Sequence, residues 1–125
     1  MTLAELTGAL IVSVQAWPGS ALDTPIVIAV LARAAAENGA AALRVDGPGN
    51  IAAVRAQTGL PIVGIYKKKY PGFEPYITPT PIEVDAVAQA GASIVAFDAT
   101  ERARPGGATV AALVAAVHER GLLAM

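Results

Sequence analysis

The sequence has no cysteine and a single histidine among its 125 residues. Without cysteine there is no disulfide scaffold, no thiolate nucleophile and no thiolate metal site. One histidine excludes a multi-histidine metal centre. Charge is also sparse: 15% of residues are charged and 54% are hydrophobic, a balance that excludes a disordered chain. The charge has no bias of sign. Nine basic and ten acidic side chains give a formal net charge of −1, which argues against nucleic acid as the main partner. No apolar run reaches the roughly 18 residues of a membrane-spanning helix. The opening Met1-Thr2-Leu3-Ala4-Glu5 has no basic segment followed by a long apolar one, so no signal peptide is expected. One soluble, cytoplasmic domain spanning residues 1–125, with no membrane role, is the expectation.

What is present alternates between strand and helix. Ala9 to Val14 is an apolar, partly β-branched run that reads as a buried strand. Thr24-Pro25 opens a helix, with Thr as N-cap and Pro at the first helical position, and Gly39 closes it after Asn38. A second strand is expected over 41–45, and a short helix from Asn50 to Gln57 ended by Gly59. A third strand covers 61–65. Its exit carries a long loop, Tyr66 to Pro79, with four aromatics and three consecutive lysines. Thr80-Pro81-Ile82-Glu83 has the spacing of a capping box and starts a helix that ends at Gly91. A fourth strand is expected over 93–97, a helix from about Thr109 to Arg120, and a fifth apolar run over 122–125.

Solid apolar strands, each followed by a helix, indicate a parallel sheet covered by helices. Units of about 30 residues each suit two architectures. One is a (β/α)8 barrel of roughly 250 residues, of which four units and the onset of strand five would be present. The other is an open five-stranded, flavodoxin-like sheet with helices on both faces. Both place the site at the carboxyl ends of the strands, and the polar residues collect there: Gln15, Arg44, Asp46, Lys67 to Lys69, Asp98, Thr100, Arg102 and Arg104. An amide, a guanidinium, an ammonium and a carboxylate facing one mouth is the pattern of a polar-substrate site.

Each of these residues also has a structural reading. Arg44 could pair with Asp98 as an ion pair, and Asp98 could instead cap its own loop through an Asx turn. Gln15 could bond backbone at the rim. Lys68 and Lys69 read as a solvated run, His118 as part of a solvated helix face, and Trp17 before Pro18-Gly19 as loop packing. Gly47-Pro48-Gly49 lacks the Lys and Ser/Thr of a phosphate loop, and its proline removes a donor.

Taken in order, Ile11-Val12-Ser13-Val14-Gln15-Ala16 with Pro18-Gly19, Leu43-Arg44, Gly64-Ile65-Tyr66-Lys67-Lys68-Lys69-Tyr70, Tyr76-Ile77-Thr78-Pro79-Thr80, Ala96-Phe97-Asp98-Ala99-Thr100, Arg104-Pro105 and Gly121-Leu122-Leu123-Ala124-Met125 resemble the N-acetylmannosamine-6-phosphate 2-epimerase family. The resemblance covers nearly the whole chain. It implies an α/β fold of the (β/α)8 TIM-barrel type, of which this chain would be the amino-terminal half. It also implies an isomerase that interconverts N-acetylmannosamine 6-phosphate and N-acetylglucosamine 6-phosphate by proton transfer at C2, in amino sugar and sialic acid catabolism. No metal or organic cofactor is implied. The family's catalytic lysine falls on Lys67, and its sugar-binding glutamine and arginine fall on Gln15 and Arg44. Asp98 falls on a family motif, with a supporting or substrate-binding role.

Such chemistry needs a base poised near working pH, and neighbouring cations favour a neutral lysine; Lys68, Lys69 and Arg44 are the neighbours in view. Where the family often has Arg followed by Asp or Asn, this sequence has Lys68 and Lys69. The family's second acid/base glutamate and glycine-rich phosphate loops lie beyond the motifs matched, so the chain alone is expected to have little or no activity. Lys67 is expected to point into the mouth beside Gln15 and Arg44. The alternative function is a non-catalytic half-barrel that self-associates or binds a sugar phosphate. Two open strand edges and an uncovered inner face, including Ile11, Val45, Ile65 and Val95, make a homo-oligomer, a dimer completing a pseudo-barrel, the expected assembly, with a poorly folded monomer as the alternative.

Overall fold

A computed structural model describes residues 2–125. Five strands, β1 (Ile11–Val14), β2 (Ala42–Asp46), β3 (Ile62–Ile65), β4 (Ile94–Val95) and β5 (Leu123–Ala124), alternate with four helices, α1 (Pro25–Glu37), α2 (Pro48–Arg55), α3 (Pro81–Gln89) and α4 (Val110–His118). All pairings are parallel, and the strands follow one another in the order β1-β2-β3-β4-β5. An open doubly wound sheet reverses its strand order at a switch point. This sheet never reverses, so it has barrel topology, and the flavodoxin-like alternative is excluded.

The helices begin where local chemistry starts them. Thr24 and Thr109 accept from the backbone of Val27 and Ala112. Thr80 and Glu83 form a complete capping box. Helix α2 starts two residues earlier than expected, at Pro48, because Gly47 takes φ = 91° and turns the chain directly into the first helical position. Strand β4 is shorter than expected, but its ladder continues irregularly: Ala96 N donates to Gly64 O and Phe97 N to Met125 O.

Side chains alternate between the two faces of the sheet, and the faces differ. Val14, Leu43, Val45, Ile62 and Val95 pack under all four helices, against Ile28, Ile51, Val54, Val84, Val87, Leu113 and Val117. Helix α3 lies close against the sheet at Gly64, where an added Cβ would lie 2.5 Å from Val87 Cγ1. The opposite, inner face carries Val63, Ile65, Ile94 and Ala96, packed against Leu6, Ile77 and Leu123.

The expectation of an uncovered inner face is therefore corrected in part. Val45 and Val95 lie on the helix side, and Ile65 is fully buried on the inner side. A 3₁₀ turn over Leu3–Leu6 and the returning loop at Ile77 supply the cover. The two edges of the sheet stay more open: Ile11 on β1 is 37% exposed and Leu10 just before it 62%, and Met125 just past β5 is 49% exposed. Among the described residues no helix is long and apolar enough to cross a membrane.

Candidate active site

The polar rows of the inner face gather on β1 and β2. Register aligns Ser13 with Arg44 and Arg44 with Val63. Two residues further along, Gln15 and Asp46 point to the same face by strand periodicity. Beyond β3 the chain runs antiparallel to residues 76–78: Lys67 bridges Ile77, Lys68 N donates to Tyr76 O at 2.7 Å, and Thr78 N to Tyr66 O at 2.8 Å. Alternation along this extended stretch separates the three lysines. Lys67 and Lys69 line a cavity of about 710 Å³ with Gln15, Trp17, Pro18 and Tyr76. Lys68 turns the other way, 3.9 Å from the Glu83 carboxylate.

Lys67 is held at both ends. Its backbone N–H donates to Asp46 Oδ1 at 2.9 Å, and its Nζ donates to Gln15 Oε1 at 2.8 Å. Gln15 is oriented in turn by donating from Nε2 to Ser13 Oγ at 2.8 Å. Burial pushes the Asp46 carboxyl above its ordinary pKa, against the lowering effect of the Lys67 backbone bond and the nearby Lys67 and Arg44 charges.

The structure thus brings Lys67 and Gln15 together. Arg44 sits one row deeper and does not line the cavity; among the described residues its guanidinium makes no hydrogen bond and no ion pair. The Arg44–Asp98 pair is not formed. Asp98 instead makes the Asx turn, accepting from Thr100 N at 2.8 Å and Thr100 Oγ1 at 2.6 Å. Those bonds, with the Arg104 and Arg102 charges, hold its carboxyl below the ordinary range. Arg104 is buried and donates from Nη2 to the carbonyls of Asp98 and Thr100, which stiffens the β4 exit, while its Nη1 has no partner among the described residues. His118 is exposed.

Two features were not visible in the sequence. Glu83 is fully buried, and besides closing its capping box it accepts from Tyr70 Oη at 2.6 Å. That bond pushes the Tyr70 phenol above its ordinary pKa and ties the lysine loop to α3. The capping-box spacing marks Glu83 but gives no hint of Tyr70. Trp17 does not pack a loop: it is 85% exposed at the edge of the Lys67 cavity. Among the described residues no cluster of His, Asp and Glu is arranged to hold a metal ion.

Comparison with known proteins finds a family model described as "Putative N-acetylmannosamine-6-phosphate epimerase", which matches residues 28–125. A curated relative named "Putative N-acetylmannosamine-6-phosphate 2-epimerase" from Caldanaerobacter subterraneus subsp. tengcongensis is 44% identical over 116 residues, 93% of this chain and 49% of the relative. One of the same name from Edwardsiella ictaluri is 48% identical over 121 residues, 97% of this chain and 51% of the relative. The solved structure of the N-acetylmannosamine-6-phosphate 2-epimerase from Clostridium perfringens superposes with a TM-score of 0.90 at 43% identity, covering 94% of this chain and 52% of that one. The chain spans about half the length of the curated relatives it matches.

Proposed function

The chain belongs to the N-acetylmannosamine-6-phosphate epimerase family, and on that premise we propose that Lys67 removes the C2 proton of an N-acetylated amino sugar 6-phosphate. The observation that carries this reading is the Lys67 side chain held 2.8 Å from Gln15 Oε1 in a cavity at the carboxyl ends of β1 and β3. In the ring-opened sugar C2 lies next to the C1 aldehyde. The neutral amine of Lys67 takes the proton, the C2–H electron pair forms a C1–C2 double bond, and the C1 carbonyl pair moves onto oxygen. Gln15 aims the amine. Arg44, with no protein acceptor among the described residues, offers donors to the substrate, where a fixed cation stabilises developing negative charge. Asp98 supports the mouth by fixing its loop through Thr100 and Arg104. Proton and electron pair stay within amine and sugar, so the step's balance requires no redox cofactor.

Return of the proton to the same face regenerates substrate, and return to the opposite face gives the gluco epimer. Inversion needs a donor on that opposite face, and we assign none among the described residues. In this reading the chain supplies the first four units of a (β/α)8 barrel, and its own part of the reaction is C2 proton exchange with little net inversion. In heavy water, the C2–H signal of N-acetylmannosamine 6-phosphate should decay faster with the chain than without it. Loss of a positioned base costs about 10²–10⁴-fold, so Lys67→Ala should abolish the acceleration. Equal exchange by the Lys67→Ala variant would sink the assignment.

The partner in this reading is a small sugar phosphate, with no part for nucleic acid. The proposed compartment is the cytoplasm, since a phosphate dianion does not pass an apolar bilayer. Self-association is a second element, supported by exposed Ile11 on the edge strand β1 and exposed Leu10 just before it. A second copy would cover that edge about a two-fold axis. Sedimentation equilibrium should show a concentration-dependent dimer; a monomer throughout the micromolar range would refute it.

A further inference from the structure

Trp17 is the one tryptophan of the chain, and it stands 85% exposed. It is not exposed by accident of a loose loop. Trp17 O accepts from Ser20 N at 3.0 Å, with Pro18 and Gly19 between them and Gly19 at φ = 81°. Pro at the second position and a positive-φ glycine at the third make a type II turn, which presents the indole from a fixed backbone. The indole lines the Lys67 cavity. So does Tyr76, 41% exposed, whose carbonyl is anchored by Lys68 N and whose ring lies under the Lys69 ammonium at 5.8 Å. The cavity therefore has a polar pair, Lys67 and Gln15, beside two aromatic rings and Pro18. Polar groups that orient and aromatic surface that grips are the usual division of labour in a small-molecule site.

The chemistry of the proposed substrate says what those rings meet. The carbon that loses its proton to Lys67 is the carbon that carries the acetamido group. A lysine amine in reach of the C2 proton thus has the acetyl methyl within a few bond lengths, and apolar surface near Lys67 is where that methyl must go. We propose that Trp17, together with Tyr76, forms the aromatic wall that receives the acetyl methyl and makes the site prefer N-acetylated sugar phosphates. The proposal rests on the C2 reading above and adds a specificity residue to it.

A single exposed tryptophan reports directly on its own contacts. N-acetylmannosamine 6-phosphate and mannose 6-phosphate, which has a hydroxyl in place of the acetamido group, are titrated into the 125-residue chain by calorimetry and by indole emission. The acetylated sugar should bind more tightly and shift the emission to the blue. One apolar group in a pocket is worth about tenfold or more. Trp17→Ala should therefore weaken the acetylated sugar by about that factor and leave mannose 6-phosphate unchanged, and Trp17→Phe should restore most of the preference. Heat released on binding with no change in emission, or equal weakening of both sugars, overturns the proposal while leaving the C2 reading intact. Emission that follows protein concentration and not ligand also overturns it, placing Trp17 between copies of the chain. Absence of binding by either sugar overturns the C2 reading and this proposal together.

Discussion

Two arginines, eleven residues apart in sequence, show how differently the two ends of the sheet are built. Arg55, at the floor, ends helix α2 and spends its guanidinium on the fold: Nε donates to Gly91 O at 3.0 Å, Nη1 to Thr58 O at 3.2 Å and Leu60 O at 3.0 Å, and Nη2 to Ser93 Oγ at 3.3 Å. Those acceptors lie in the two loops that lead into β3 and β4, so one side chain closes the floor. Arg44, nearer the mouth, is half-buried on β2 and donates to none of the described residues. The Arg44 guanidinium is not sealed from solvent, so its donors are open to water or a ligand. The same residue type is a staple at one end and an unspent donor set at the other, and that contrast separates scaffold from site more sharply than burial does.

Breaking the staple should have the largest effect on stability. Arg55→Ala strips donors from three carbonyls and a hydroxyl in a partly buried place. Losing partners of this kind costs about 1–3 kcal/mol per unsatisfied group, with partial relief from water, so a loss of about 2–4 kcal/mol is expected. Urea titration reads the loss. Sugar-phosphate affinity measured well below the transition should not change, and a change would mean floor and mouth are not separable.

Thr78 tests the contrast from the mouth side, because it lies near the site yet behaves as scaffold. It is fully buried, donates from Oγ1 to Ala96 O at 2.7 Å and accepts from Tyr66 N at 3.0 Å. It also holds φ = 48°, unusual for a β-branched residue. Its bonds tie the returning loop to β3 and β4, and so fix the stretch that carries Lys67. Thr78→Ala should cost about 1–3 kcal/mol from the orphaned partners. Lys67-dependent C2 exchange should fall as well, since the loop loses its anchor. A destabilised variant that exchanges normally, assayed where it is fully folded, would show that the backbone bonds of Lys67, Lys68 and Thr78, with the Tyr70–Glu83 bond, hold the loop without the Thr78 hydroxyl.

Legibility in the sequence divides along the same line. Scaffold signals are local and chemical, so they could be read: Thr24-Pro25, the Thr80–Glu83 box and Thr109 start helices, and Gly39, Gly91 and Gly121 follow their ends. Strand order was not legible from pattern, because an apolar run does not say which neighbour it pairs with; family motifs pointed to the barrel. Gln15 and Lys67 were legible as strand-end polar residues. Their support was not, because Asp46 to Lys67 N, Tyr70 to Glu83 and Arg104 to Asp98 O join residues whose partners depend on loop geometry. The loop from Tyr66 to Pro79 has no periodicity from which to predict that Lys68 faces away from Lys67.

Arg44→Met sharpens the comparison. Methionine keeps the stem and removes a charge whose resolved effect on the protein is its attraction to the Asp46 carboxylate, so stability should change by less than about 1 kcal/mol. Affinity for N-acetylmannosamine 6-phosphate should drop, because the donors left free by the protein are lost to the ligand. A thermal scan and a calorimetric titration on one preparation give both numbers. A loss of stability as large as that of Arg55→Ala would show that Arg44 is a second staple.

The smallest effects come from two carboxylates whose pH dependence runs in opposite directions. Asp98 is held below its ordinary value of 3.8, first by the Thr100 side-chain and backbone bonds and then by the Arg104 and Arg102 charges. A lowered folded pKa means the ionised form is favoured by folding, so this contribution is present above the unfolded value and is lost as pH falls through the folded one. Asp46 is raised above 3.8, chiefly by burial. There the protonated form is favoured by folding, so its contribution is complete below the unfolded value and disappears as pH rises through the folded one. Asparagine is nearly isosteric in both places and can still accept from Thr100 N or Lys67 N. Relative to wild type, Asp98→Asn should therefore be less stable at neutral pH, with the deficit shrinking only as pH falls below the ordinary value of 3.8. Asp46→Asn should match wild type in acid and gain on it as pH rises from about 4 toward neutrality. Urea unfolding of both variants across that range should give two difference curves of opposite sign at neutral pH. Curves of the same sign would mean that Asp46 ionises without penalty, its half-buried carboxylate fully compensated by Lys67 and Arg44, and the mouth would then be as well satisfied as the floor.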